Sequence, residues 1–235
     1  IITMHTKDWI TLLTSIAAFI SALLVLFTII EMRNQRKSSY KPDIIIKGDG
    51  FIINWNEKKY PDLWNNRVNI FVELFNIGMG AAKYLKLTWE FNIENLSKEI
   101  NKYSNKCYIE YKSIEEILSI KIEDFHKGLI FLKNDLCRYI DYLIPVNIHQ
   151  ECMKICLPRS YIELTGLLTY LCFKKPEISK DFNLPKLKTT IIYYDIGNNE
   201  HKKIFNLKLS PDIINEYQNG VSEFAKGIIE VKEVK

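Results

Sequence analysis

Hydrophobic positions along the chain follow three patterns. The first is unbroken: Trp9 to Ile30 (WITLLTSIAAFISALLVLFTII) is a run of 22 residues with no charge, no glycine and no proline. At about 1.5 Å of rise per residue such a run spans roughly 33 Å as a helix, against a hydrocarbon core of about 30 Å. Water is absent from the bilayer core, so the backbone must satisfy itself, and the run predicts a single membrane-spanning helix. Trp9 stands at one end, where indoles favour the interface. A buried soluble helix would show a polar stripe, whereas only Thr and Ser interrupt this run, and their hydroxyls can bond back to the helix. A cleaved signal peptide needs a basic leader, a shorter apolar stretch and small residues at a cleavage site. Here the leader offers only His5, Lys7 and Asp8, and the run ends Phe27-Thr28-Ile29-Ile30. The helix is expected to run on through EMRNQRKSS and to stop before Pro42.

The second pattern has period two, the mark of strands with one buried face. It runs over Asp43–Lys47 and, after a turn at Gly48-Asp49-Gly50, over Phe51–Trp55. In Arg67–Phe75, Val68, Ile70, Val72 and Leu74 alternate with Asn69, Phe71, Glu73 and Phe75; in Tyr84–Phe91, Leu85, Leu87, Trp89 and Phe91 alternate with Lys86, Thr88 and Glu90. Leu187–Tyr194 and Lys203–Leu209 alternate again around Asp195-Ile-Gly-Asn-Asn199, a hairpin signal rich in residues that tolerate positive φ. Gly227–Val234 supplies a last strand.

The third pattern is helical and lies between these strand groups. Leu96, Ile100 and Tyr103 share a face in Glu94–Ser104. Ser113-Ile-Glu-Glu116 reads as a capping box opening a short helix with Ile114, Ile117 and Leu118. Pro158 suits a helix start, followed by Tyr161, Leu164, Leu168 and Leu171, although Thr165–Phe173 also reads as a strand. The division is therefore an anchor with a basic neck over residues 1–41 and a mainly β domain over 42–235. Strands in runs predict an antiparallel sandwich, with a partly helical insertion over about 92–185.

Charge sets the orientation. Arg33, Arg36, Lys37 and Lys41 follow the span and Lys7 alone precedes it, so the N-terminus is expected outside and the domain in the cytoplasm of a cell (inner) membrane. Glu31 and Asp43 dilute the basic cluster, which favours a role in topology over headgroup binding. The net charge of the whole chain is +4, and acids and bases nearly balance beyond the neck, which gives no argument for nucleic acid. Five cysteines (Cys107, Cys137, Cys152, Cys156 and Cys172), an odd number without framework spacing, fit reduced cytosolic thiols.

Candidate chemistry is thin. Gly78-Met79-Gly80 is followed by Ala-Ala and a strand, not by the helix a phosphate loop requires, so these glycines read as a sharp turn. His149, Glu151, Cys152 and Cys156 form the one cluster of metal-type ligands, but a single Cys-x3-Cys falls short of a zinc set; on a strand both cysteines share a face and read as core. No Gly-x-Ser-x-Gly elbow occurs. The four histidines lie in unrelated settings; His126, beside Glu123 and Asp124, reads as part of a solvated loop. Glu115 and Glu116 would point about 100° apart on a helix and make no carboxylate pair. Tyr193 and Tyr194 fall on opposite faces of one strand, one for the core and one for the surface. Ala17, Ala18, Ser21 and Ala22 would permit close packing of a second copy of the anchor. No catalytic residue, cofactor or metal site is assigned.

Two segments carry a resemblance: VELFNIGMGAAKYLKLTW (Val72–Trp89) and TTIIYYDIGNNEHKKIFNLKL (Thr189–Leu209). With the neck layout they resemble a widespread set of uncharacterised bacterial single-pass membrane proteins carrying an immunoglobulin-like β-sandwich. The shared positions are Asn76, Gly78, Gly80 and Ala81, then Tyr193, Asp195, Phe205 and Leu207. The resemblance implies a layout and no activity; some members look like accessory proteins near mobile or defence genes. The expectation is a non-enzymatic binding or sensing module, held in the bilayer by residues 9–30 and meeting a cytoplasmic protein partner. The alternative is an oligomerising membrane effector triggered through its soluble domain; a third reading is an enzyme with its site in the insertion.

Overall fold

The computed structural model describes residues 6–55, 70–104, 107–122, 125–148, 152–174, 184–215 and 223–234. Contacts divide the chain between Lys41 and Pro42. The first unit is one helix, α1 (Thr6–Ser39), closed by a bond from Tyr40 N–H to the Arg36 carbonyl. It contains a stretch long and apolar enough to cross a membrane, Trp9–Arg36, none of it buried in the protein. As expected, its hydroxyls turn inward: Thr14 donates to the Ile10 carbonyl, Ser15 to Thr11, Ser21 to Ala17 and Thr28 to Leu24.

The second unit is mainly β. In chain order it holds β1 (Ile44–Gly48), β2 (Gly50–Trp55), β3 (Phe71–Asn76), β4 (Ala82–Glu90), α2 (Ile93–Tyr103), β5 (Cys107–Lys112), β6 (Ile117–Ile122), β7 (Phe125–Phe131), α3 (Leu132–Asp135), β8 (Cys137–Leu143), β9 (Met153–Cys156), α4 (Arg159–Lys174), β10 (Leu187–Tyr194), β11 (Glu200–Asn215) and β12 (Glu223–Val234). Three antiparallel sheets result: β2-β12-β11-β10-β4-β8, β1-β3-β9 and β5-β6-β7. The first two share one core. Ile44, Ile46, Val72, Leu74 and Ile155 from the three-stranded layer pack with Leu85, Leu87, Trp89, Ile191, Phe205 and Leu207 from the six-stranded layer. A second core joins α2, β5, β6 and β7 to Leu164, Leu167 and Leu168 of α4. Tyr161 and Ile162, one turn earlier on α4, belong to the first core, so this helix serves both.

Several expectations change. At the turn expected over Gly48-Asp49-Gly50 the chain passes from one sheet to the other, β1 pairing with β3 and β2 with β12. The close passage requires Gly48, because a Cβ there would stand 1.8 Å from the Ile229 carbonyl oxygen. Ser113–Glu116 does not open a helix: it is the turn of the β5–β6 hairpin, with Glu116 at φ 51° and Ile114 almost fully exposed. The insertion over 92–185 is richer in strand than expected. Its β8 and β9 complete the two core sheets as edge strands, and only α2 and β5–β7 form a separate layer. The helix expected after Pro158 does form, as α4 with Leu164 and Leu168 buried at helical spacing, and the strand alternative over Thr165–Phe173 falls away. His126 lies in β7 rather than in a loop. Asn92 caps α2 by accepting from Asn95 N–H at 3.0 Å.

Candidate interaction face

The first motif is structural. Asn76 is fully buried, and its amide uses every bonding position it has. Its Oδ1 accepts from the N–H groups of Asp43 and Gly78, both at 3.1 Å; its Nδ2 donates to the carbonyls of Gly80 at 2.8 Å and Leu143 at 3.0 Å. One side chain thus joins the start of β1, the glycine connection and the end of β8. Among non-glycine residues described in this stretch, positive φ falls on Tyr84, at 51°. It sits at a bulge where the pairing of β4 with β10 shifts register. The bulge turns Tyr84 outward while Leu85 enters the core.

The second motif meets the first at the same place. Tyr193 is buried and donates to the Pro42 carbonyl at 3.4 Å; Tyr194 is the surface partner, donating to Glu200 at 2.9 Å. Asp195 accepts from Asn199 through backbone N–H and Nδ2, both at 2.9 Å, and lies 3.1 Å from His201 Nε2. The His201 ring stacks on Tyr193 at 5.3 Å. Burial acts to raise the Asp195 carboxyl, but the bonds from Asn199 and His201 outweigh it and hold the group down at about 2. Lys203 reaches Asp43 at 2.5 Å and Glu233 at 3.3 Å, and although burial opposes its charge these partners raise its affinity for the proton. Phe205 and Leu207 are core. The sequence treated His201 as isolated. Its direct pairing with Tyr193 across the hairpin was the signal that would have linked it to Asp195.

Other candidates separate. Cys152 and Cys156 flank the inward Ile155, and the face they share points outward, so neither is core. His149, Glu151, Glu123 and Asp124 lie outside the described residues. Among the described residues no group of three metal-type ligands occurs. Glu115 and Glu116 lie in the exposed hairpin turn.

The outer face of the six-stranded sheet brings together residues that no motif joins. Period two sends Leu85, Leu87, Ile191, Phe205 and Leu207 inward and their neighbours outward. Tyr142, Lys83, Tyr194 and Glu200 then stand side by side across β8, β4, β10 and β11. One rung on, Tyr139, Lys86, Ile192 and Lys202 do the same; further along come Glu90, Lys188, Asn206 and Lys232 across β4, β10, β11 and β12. Tyr139 is 73% exposed, Tyr84 61% and Tyr142 54%. The Tyr84 and Tyr142 rings lie 6.3 Å apart, and Lys86 Nζ stands 5.9 Å from the centre of the Tyr139 ring. Lys83 donates to Asn198 at 2.8 Å and Lys188 pairs with Glu90 at 2.8 Å, whereas Lys86, Lys202 and Lys232 are exposed. The chain matches no protein-family model, no curated protein and no solved structure.

Proposed function

We propose that the protein is a single-pass membrane protein whose basic neck holds the N-terminus outside and the β domain in the cytoplasm, where the domain serves as a non-enzymatic binding or sensing module. We read the domain as immunoglobulin-like in the broad sense of two antiparallel sheets over one core, in keeping with the bacterial membrane-anchored set its motifs resemble. The observation that carries the reading is the open outer sheet face with its tyrosine ledge, Tyr84, Tyr139 and Tyr142, at the β8 edge. Tyrosine offers a large, rigid, amphipathic contact area at low conformational-entropy cost, the chemistry of recognition surfaces. The polar clusters nearby, around Asn76 and Asp195, spend their bonding on the fold.

The test is a photo-crosslinking residue, p-benzoylphenylalanine, introduced at Tyr139 in the full chain in cells. A discrete adduct from Tyr139, absent when the probe replaces Ile114 in the β5–β6 turn, is the expected result. Equal, diffuse labelling at both positions would remove the face as the binding surface.

A further inference from the structure

The near balance of charge beyond the neck hides an uneven distribution. On the outer face of the six-stranded sheet, lysines recur at alternate positions of neighbouring strands, and part of the acidic complement there is already engaged. Glu90 is paired with Lys188, whereas Glu200, which accepts from the Tyr194 hydroxyl, and exposed Glu230, opposite Lys208, keep their charge among the more numerous lysines of the face. Lys86, Lys202 and Lys232 stand exposed, Lys86 beside the Tyr139 ring. Ile192 separates Lys86 from Lys202 on one rung, which sets the two cations about 10 Å apart at the usual inter-strand spacing. The surface is a broad sheet face rather than a cleft, so it suits an extended anionic layer.

We propose that this face rests on the anionic phospholipid headgroups of the leaflet through which the protein is anchored. The inference depends on the membrane-anchored reading above and names the partner of the same face. Three arguments favour lipid over a soluble polyanion. Tethering by the neck keeps the face within reach of the leaflet and makes the encounter effectively intramolecular, so a few lysines suffice. Lysine near an anionic leaflet is attracted electrostatically, and tyrosine rings settle at headgroup level, where one end is apolar and the other wet.

The third argument is reach. The neck from Ile30 to Ser39 is helical and rises about 14 Å, and the four residues to Asp43 add up to about 13 Å. Asp43 leads into β1, in the layer remote from the face. Lying flat on the leaflet requires spanning a headgroup layer of about 6 Å and a sheet separation of about 10 Å, with the outward side chains reaching into the headgroup layer. The neck reaches that height.

The full chain would be reconstituted in nanodiscs of phosphatidylcholine alone or mixed with phosphatidylglycerol, and its lysines acetylated with a water-soluble reagent and quantified by mass spectrometry. Lys86, Lys202 and Lys232 are expected to label roughly five-fold more slowly in anionic discs, the factor one lysine's attraction to such a surface corresponds to. The protection should fade at about 1 M salt, where the Debye length is about 3 Å. Lys98 and Lys112, which lie off this face, should label equally in both discs. The variant K86E/K202E should release Lys232 from protection.

Equal labelling of the face lysines in both discs would overturn the inference while leaving the anchor intact. Protection by polyglutamate or an oligonucleotide in zwitterionic discs, without protection by phosphatidylglycerol, would overturn it in favour of a soluble polyanion. Failure of the chain to enter discs at all would instead count against the anchor, a separate result.

Discussion

Asn76 joins three segments distant in sequence through one amide, and no other side chain of its size carries two donors and two acceptors in the right arrangement. Changing Asn76→Ala leaves the buried carbonyls of Gly80 and Leu143 without their donor, so a loss of about 3 kcal/mol is expected by chemical denaturation. Asn76→Asp should be no milder, because it sets a carboxylate against those two carbonyls. A variant that denatures like the parent would show that this junction does not hold the sheets together. Asp195 gives a pH-dependent test. Its carboxyl titrates lower in the fold, at about 2, than in the unfolded chain, near 3.9. The unfolded state therefore binds the proton more tightly. The stability this group contributes is fully present above about pH 4 and is lost as pH falls toward 2. Asp195→Asn should flatten that part of the profile, read as the urea midpoint between about pH 5 and pH 2.5; an unchanged slope would separate Asp195 from acid unfolding.

At the scale of elements, the passage from β1 to β2 shows what backbone proximity demands. A Cβ on Gly48 would meet the Ile229 carbonyl at 1.8 Å, while one on Gly50 would find its nearest contact at 3.7 Å. Gly48→Ala should therefore destabilise the domain by about 1–3 kcal/mol or more, as overpacking does, and Gly50→Ala by much less. Similar effects at both positions, measured by thermal melting, would contradict the close approach. Strands β3, β4 and β10 were legible in the sequence because each buries one face and alternates along its length. The β5–β6 hairpin was not. A turn interrupts the alternation, and an exposed Ile114 in the turn, followed by Ile117 and buried Leu118, imitates helical spacing. Strand β8 was missed because it is an edge: Arg138, Tyr139, Asp141 and Tyr142 are all exposed, so little alternation survives. The outer face was illegible for another reason. Lys86, Ile192 and Lys202 meet only through strand pairing, which spacing along one segment does not reveal.

For the molecule as a whole, the decisive quantity is which side of the membrane the domain occupies. The positive-inside rule counts cations close to the span, and Arg33, Arg36, Lys37 and Lys41 against Lys7 are the basis on which we propose a cytoplasmic domain. The cysteines supply a readout from within the chain. Cys156 is exposed, whereas Cys107 is buried and its thiol is pushed up to about 12, so it stays silent to alkylation. A membrane-impermeant maleimide added to intact cells should leave Cys156 unmodified and should label it once the membrane is opened, with Cys156→Ser identifying the signal. The orientation depends on the neck if reversing its charge reverses the result. Replacing Arg33, Arg36 and Lys37 with Glu removes most of the asymmetry, and it should raise the fraction of Cys156 labelled in intact cells. Labelling of the parent in intact cells would put the domain outside, and the argument from five reduced thiols would fall with the cytoplasmic assignment. It would also remove the cytoplasmic leaflet as the surface available to Lys86 and Lys202, so the orientation test bears on the lipid inference as well.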